Sequence, residues 1–109
     1  MAATEFAAQV RHEDGVAVLD LSGDVSSGAE QKLLEAYAQT GGEAVVLLDF
    51  SAVDYINSTG IALIVGLLAQ ARAAGQEMQA RGLAEHYREI FRITRLSDFM
   101  TILDDDGDN

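Results

Sequence analysis

The chain has no cysteine, no proline and no tryptophan among its 109 residues. Without cysteine there are no disulfides, no thiolate nucleophile and no thiolate metal ligands. Without proline there is no X–Pro bond to serve as a slow isomerisation switch. His12 and His86 are the only histidines, too few for a metal cluster, so no metal is expected. Positive charge is also thin. Seven Lys and Arg stand against eighteen Asp and Glu, a formal net charge of −11, and no Lys or Arg falls between Lys32 and Arg72. Nucleic acid and anionic lipid are bound largely through Lys and Arg neutralising phosphates, so neither is an expected partner. An acidic surface favours a basic protein partner and speeds their encounter; solubility alone also accounts for such a charge. Long apolar runs are missing too. The longest, residues 61–69, falls far short of the ~20 residues that span a bilayer, so membrane insertion is not expected. The opening MAATEFAAQVRHED has neither the basic n-region nor the apolar core of a secretory signal. A cytoplasmic location is the expectation.

What is present is enough for one modest core. The hydrophobic fraction is 49%, and a chain of this length is expected to form one domain, here residues 1–103. Residues 4–11 and 16–22 read as strands joined by a turn at His12-Glu13-Asp14-Gly15. Residues 23–28, GDVSSG, read as loop, with Ser26 or Ser27 as a helix N-cap. A helix over 29–40 follows, with Leu33, Leu34 and Tyr37 as its apolar stripe and Gly41-Gly42 as its stop. Residues 44–50 form an unbroken apolar run, the pattern of a strand covered on both faces. Residues 58–74 are apolar around more than half of a helix, which should therefore be deeply packed. Residues 76–81 form a weaker strand with Met78 and Ala80 inward. A helix over 84–94 uses Leu83, Tyr87, Ile90 and Phe91 as its core face, and 99–103 is a last short strand. The order β-β-α-β-α-β-α-β implies an α/β fold: a mixed sheet, antiparallel in the opening hairpin and parallel afterwards, flanked by helices. The tail 104–109, DDDGDN, is acidic and expected to be disordered.

The junction AVVLLDFSAVDYINSTGIALIVGLLA, residues 44–69, carries the chemistry. A strand runs into a loop that delivers Ser58 and Thr59 to the start of an apolar helix. A hydroxyl there sits among unpaired backbone N–H groups and on the positive pole of the helix dipole. It can cap the helix, or accept a phosphate that the helix end stabilises. For Thr59 a local first-turn bond is the plainer reading. Gly60 lets the helix start pass close to neighbouring backbone or to a partner. Asp24, Asp49 and Asp54 read best as solvated caps rather than as an acid–base or metal site. A hydrolase triad of Ser58, His86 and an Asp lacks the G-x-S-x-G elbow, and no Walker-type phosphate loop is present. Catalysis is not expected, nor is a cofactor. Arg88, Arg92 and Arg95 form a small basic strip, read as an exposed face paired with Glu85 and Glu89.

Three segments resemble the STAS family of bacterial anti-sigma factor antagonists. They are Leu21-Ser22-Gly23-Asp24, the run from Leu48 through Asp54-Tyr55-Ile56-Asn57-Ser58-Thr59-Gly60-Ile61, and Ile90-Phe91-Arg92-Ile93-Thr94-Arg95-Leu96. The second is the most specific, and the likeness spans about residues 4–103. In that family the hydroxyl directly after the acidic residue of the motif is phosphorylated by an anti-sigma factor serine kinase. The resemblance places that role on Ser58, with Thr59 second. It implies a partner surface of Gly23, Asp24, Asp54, Asn57, Ser58, Thr59 and Gly60. Unphosphorylated members bind the anti-sigma factor and free the sigma factor; phosphorylated members release it, and a phosphatase resets the cycle. Two departures stand out. Asn57 occupies the position where the family usually has Asp. The chain closes on DDDGDN where relatives usually carry a last helix, which leaves apolar surface for a partner or for a second copy in a homodimer. These departures keep an alternative open: a constitutive scaffold in a signalling assembly, or a subunit beside a lipid-transport ATPase. A third reading is a small-ligand sensor that uses the helix end as an anion site.

Overall fold

The computed structural model describes residues 4–103; the acidic tail expected over 104–109 lies outside them. Five strands form one sheet in the order β1-β2-β3-β4-β5: β1 Ala7–Glu13, β2 Val16–Val25, β3 Val45–Ile56, β4 Glu77–Arg81 and β5 Thr101–Ile102. The first pair is antiparallel and the other three are parallel. The mixed sheet read from the sequence is therefore the observed one. Three helices connect its strands: α1 Glu30–Ala38, entered through a 3₁₀ turn at Ser27–Ala29, α2 Ser58–Ala73, and α3 Glu85–Ile93, followed by a 3₁₀ turn at Leu96–Asp98.

The strand order explains where the helices lie. Parallel crossovers share one hand, so strands added successively in one direction keep all their helices on one face. The core is accordingly one-sided. Leu19, Leu21, Val46, Leu48, Phe50, Met78 and Ala80 from the sheet pack with Leu33 and Ala36 of α1, Ile64, Leu67, Leu68 and Ala71 of α2, and Phe91 of α3. Phe91 is fully buried, worth about 2–3 kcal/mol over exposure. Its ring meets Phe50 edge-on, centroids 6.1 Å apart. The unbroken apolar run in β3 had suggested cover on both faces. Its second face is closed differently. Val18 and Leu47 are buried outside the main cluster, in register between Arg11 on β1 and Gln79 on β4. Long polar side chains shield apolar neighbours with their stems while keeping their heads in water.

Several boundaries move. β1 starts at Ala7 rather than at residue 4 and runs on to Glu13. Gly23-Asp24-Val25, expected in a loop, extends β2, and Ser51 to Ile56 extends β3. These residues look like loop formers because β3 is irregular there. Its register against β2 slips between Asp20/Ser22 and again between Gly23/Asp24, so twelve residues of β3 face ten of β2. Each slip is one extra residue, a bulge that adds bend and twist. Ser26 precedes the 3₁₀ turn without a side-chain capping bond. On α1, Leu34 faces solvent and Ala36 takes the core position. α2 is less deeply packed than its composition suggests: Val65 is 45% exposed, and Ala62 and Ala69 are exposed beside it. Met78 and Ala80 do point inward from β4.

Candidate functional site

The two bulges bring three segments together at one end of the sheet. Gly23 has φ of 81°, and a Cβ there would fall 2.3 Å from the Glu5 carbonyl oxygen, so only glycine fits. This close approach seats the N-terminal segment across the end of β2. The Asp24 amide donates to the Thr4 carbonyl at 3.1 Å, and the Thr4 amide donates to Asp24 Oδ2 at 3.2 Å. The Asp24 carboxylate is thus half-buried and occupied within the chain. One residue on, Val25 pairs with Ile56, and its carbonyl accepts from the Asn57 amide at 3.3 Å. A Cβ on Gly60 would lie 2.0 Å from that same carbonyl oxygen. The first turn of α2 therefore packs backbone to backbone on the end of β2. Of the two roles read for Gly60, this is close approach to its own chain.

The cap of α2 is Asn57, not Ser58. Asn57 is extended, and its Oδ1 accepts from the Gly60 amide at 2.8 Å. Its carbonyl accepts the first intrahelical bond, from the Ile61 amide at 2.9 Å. A cap needs an acceptor that reaches the third helical amide, and an Asn side chain does this as well as Asp or Ser. Ser58 and Thr59 then occupy the first two helical positions. Both are exposed, and neither hydroxyl is hydrogen-bonded among the described residues. Their amides belong to the helix's first turn, which has no intrahelical acceptors. Ser58 is left with an accessible oxygen on the positive pole of a sixteen-residue helix.

Neighbouring side chains fix this end. The Ile56 amide donates to the Tyr87 hydroxyl at 3.0 Å, which ties α3 to the residue before the cap. The helical spacing marks Tyr87 only as core; the signal for more is that Tyr brings a polar tip to an apolar face. Asp54 is exposed at the second bulge, and Tyr55, paired with Asp24, is exposed beside it. Tyr55 escapes sequence reasoning because residues 51–56 look like loop, where strand alternation is not counted. Further back, Asp49 braces the first bulge. Its Oδ1 accepts from the Ser51 amide at 2.9 Å, and its Oδ2 accepts from Arg81 Nη2 at 2.9 Å. Partial burial works against the charge of Asp49, but the bonds from Ser51 and the Arg81 guanidinium outweigh it. The carboxyl is held below the ordinary aspartate range. His86 is exposed and lies against the Tyr87 ring. No hydrogen bond joins it to Ser58 among the described residues, so the structure does not assemble a Ser–His pair.

A family profile described as "Mlab, STAS domain" matches residues 8–104. The chain belongs to the STAS family. Two relatives place it among the anti-sigma factor antagonists of that family. BtrV of Bordetella bronchiseptica, whose name assigns it provisionally to that class, is 37% identical over 83 residues, 74% of this chain and 72% of BtrV. The anti-sigma-B factor antagonist of Listeria monocytogenes is 32% identical over 78 residues, 72% of this chain and 68% of the relative. Among solved structures, the unphosphorylated anti-sigma factor antagonist SpoIIAA superposes with a TM-score of 0.67 at 19% identity, over 90% of this chain and 88% of that one. The phosphorylated form of SpoIIAA from Bacillus gives 0.64 at 18% identity, over 90% and 92%. At these identities the superpositions establish the STAS fold.

Proposed function

We propose that this protein is a phosphorylation-switched binding module. In its unmodified form it sequesters a serine-kinase anti-sigma factor and so frees a sigma factor. Phosphorylation of Ser58 ends the association, and a phosphatase restores it. Thr59 is the second acceptor. The observation that carries the reading is the division of labour at the start of α2: Asn57 takes the cap, which leaves the Ser58 oxygen exposed and unbonded. A phosphoserine there brings about −1.5 to −2 charges, which the amides and dipole of the helix end stabilise by ~0.3–1 kcal/mol. The domain stays folded while its surface changes. The partner surface comprises Asp54, Asn57, Ser58 and Thr59, with Tyr55 beside them. Gly23, Asp24 and Gly60 serve it by setting the backbone. Asn57 in place of Asp keeps the cap and removes one negative charge next to the incoming phosphate.

The relatives' names support the anti-sigma pathway, and a phosphorylated form is known of SpoIIAA. The test is direct. The protein is incubated with the serine-kinase anti-sigma factor of its own organism and ATP, and the phosphate is mapped by mass spectrometry. Stoichiometric phosphate on Ser58, its loss in Ser58→Ala, and at least ten-fold weaker kinase binding by Ser58→Asp are the expected results. Unmodified protein, or a Ser58→Asp chain that binds as tightly as the parent, overturns the switch and leaves a constitutive STAS subunit as the remaining reading.

A further inference from the structure

The opposite end of α2 is built for something else. Between the last turns of α2 and the corner after α3 runs an open groove of about 480 Å³. Leu68 and Leu96 form its buried floor. Val65 and Phe99 form apolar walls and are 45% and 50% exposed. Arg72 and Arg95 stand on its rim, Arg95 beside its ion-pair partner Asp98. In a chain of net charge −11, the positive excess here comes from Arg72. Arg72 lies over the Phe99 ring, its guanidinium carbon 5.0 Å from the ring centroid, and has no ion-pair partner among the described residues. Among the described residues Arg95 pairs only with Asp98, three residues on, and it remains 79% exposed.

Arg95 supplies an independent observation. It sits just past the C-cap of α3 with φ of 70°, in the left-handed region. That position is the usual place for glycine, which adopts it freely. The chain instead holds an arginine there, strained, with its side chain on the groove. Strain kept where glycine would relieve it points to a use for the side chain.

We propose that this groove is a second docking surface, for an amphipathic helical segment of a partner protein whose apolar residues are flanked by Asp and Glu. The apolar walls match the helix-in-groove mode of recognition, and the Arg72 guanidinium, with the exposed Arg95 beside it, selects for carboxylates. A second copy of this chain fits poorly. A two-fold contact would set one arginine rim against the other and bring together two bodies of net charge −11. An anionic lipid surface is broad enough to meet the acidic residues around the groove, whereas a short segment meets the arginines at close range, with the distant charges screened. Arg72 is fourteen residues beyond Ser58, ~21 Å along the helix axis, so both surfaces can be engaged at once. The inference stands apart from the phosphorylation switch.

The test uses the full chain, ¹⁵N-labelled. Two designed sixteen-residue amphipathic peptides share one leucine face; one is flanked by Glu, the other by Lys. The Glu peptide is expected to shift the amides of Val65, Ala69, Arg72 and Phe99 and to bind at least ten-fold tighter than the Lys peptide. Arg72→Glu is expected to reverse that preference. Arg95→Gly is expected to weaken the Glu peptide at least three-fold with no loss of thermal stability, which separates a docking role from a structural one. The Ser58→Asp chain is expected to bind it like the parent. Equal binding of both peptides, no binding, or shifts confined to the Ser58 end overturn the proposal. So does an Arg72-dependent dimer in sedimentation, which assigns the groove to a second copy. Arg72-dependent binding to phosphatidylglycerol vesicles overturns it in favour of a membrane.

Discussion

The two ends of α2 are made by opposite means. At its start, backbone meets backbone: Gly60 touches the Val25 carbonyl, Asn57 satisfies the third amide, and Tyr87 holds the residue before the cap. At its finish, side chains stand apart around an open groove, and Gly66, midway between, has open space where a Cβ would go. One helix thus carries a tightly specified end, where an ångström matters, and a loosely packed end with exposed apolar surface. Under the proposed switch, the tight end presents the Ser58 oxygen at fixed geometry. Loose packing suits a surface that accepts another chain.

The largest expected effect tests the tight end. Gly60→Ala places a methyl group 2.0 Å from a backbone oxygen, which no rotamer can relieve. It should destabilise by about 3 kcal/mol in denaturant melts, at the upper end for overpacking. A loss below 1 kcal/mol would show that the contact yields easily. Next is the brace of the first bulge. Asp49→Asn removes the charge that Arg81 and Ser51 satisfy and should cost about 2 kcal/mol at pH 7, in the range of bonds to a charged group. Its pH dependence has a definite sign. Because the folded carboxyl titrates below its unfolded value, its contribution is present above about pH 4 and is lost as pH falls through the lowered folded value. The parent should therefore lose stability more steeply below about pH 4 than Asp49→Asn. Parallel curves would assign the brace to shape rather than charge.

Smaller effects test the cap. Asn57→Ala should lose about 1 kcal/mol, whereas Asn57→Asp should stay near the parent, since both side chains cap. If Asn57→Ala costs nothing in a thermal melt, the capping bond is not what holds the turn. The smallest effect has the opposite sign. Gly66→Ala, in open space on the loose half, should stabilise by just under 1 kcal/mol. The same chemical change thus reads oppositely six residues apart. Two losses of equal size would erase the difference drawn between the ends.

Much of this was legible in the residues. α2 begins at Ser58 as expected and ends one residue earlier, because its apolar content and Gly75 mark both limits. The inward pair Met78 and Ala80 and the opening hairpin were also legible. The far ends of β2 and β3 were not. Gly23, Asp24, Ser51 and Asp54 are turn formers by propensity, and only pairing with a neighbouring strand makes them bulges within a ladder. The exposure of Leu34 and Val65 was illegible for a related reason. Periodicity shows that a helix has an apolar side but not how wide its cover is.

Local chemistry therefore settled which elements form and where Ser58 and Thr59 sit, since turn residues and apolar periods act over a few neighbours in the chain. Which of Asn57 and Ser58 caps the helix, which strand face receives the helices, and why residue 60 bears no side chain were settled by contacts between distant segments. Those depend on a carbonyl at Val25 and a hydroxyl at Tyr87, thirty-five residues before Gly60 and thirty-one after Ile56, and short-range pattern carries no record of such neighbours.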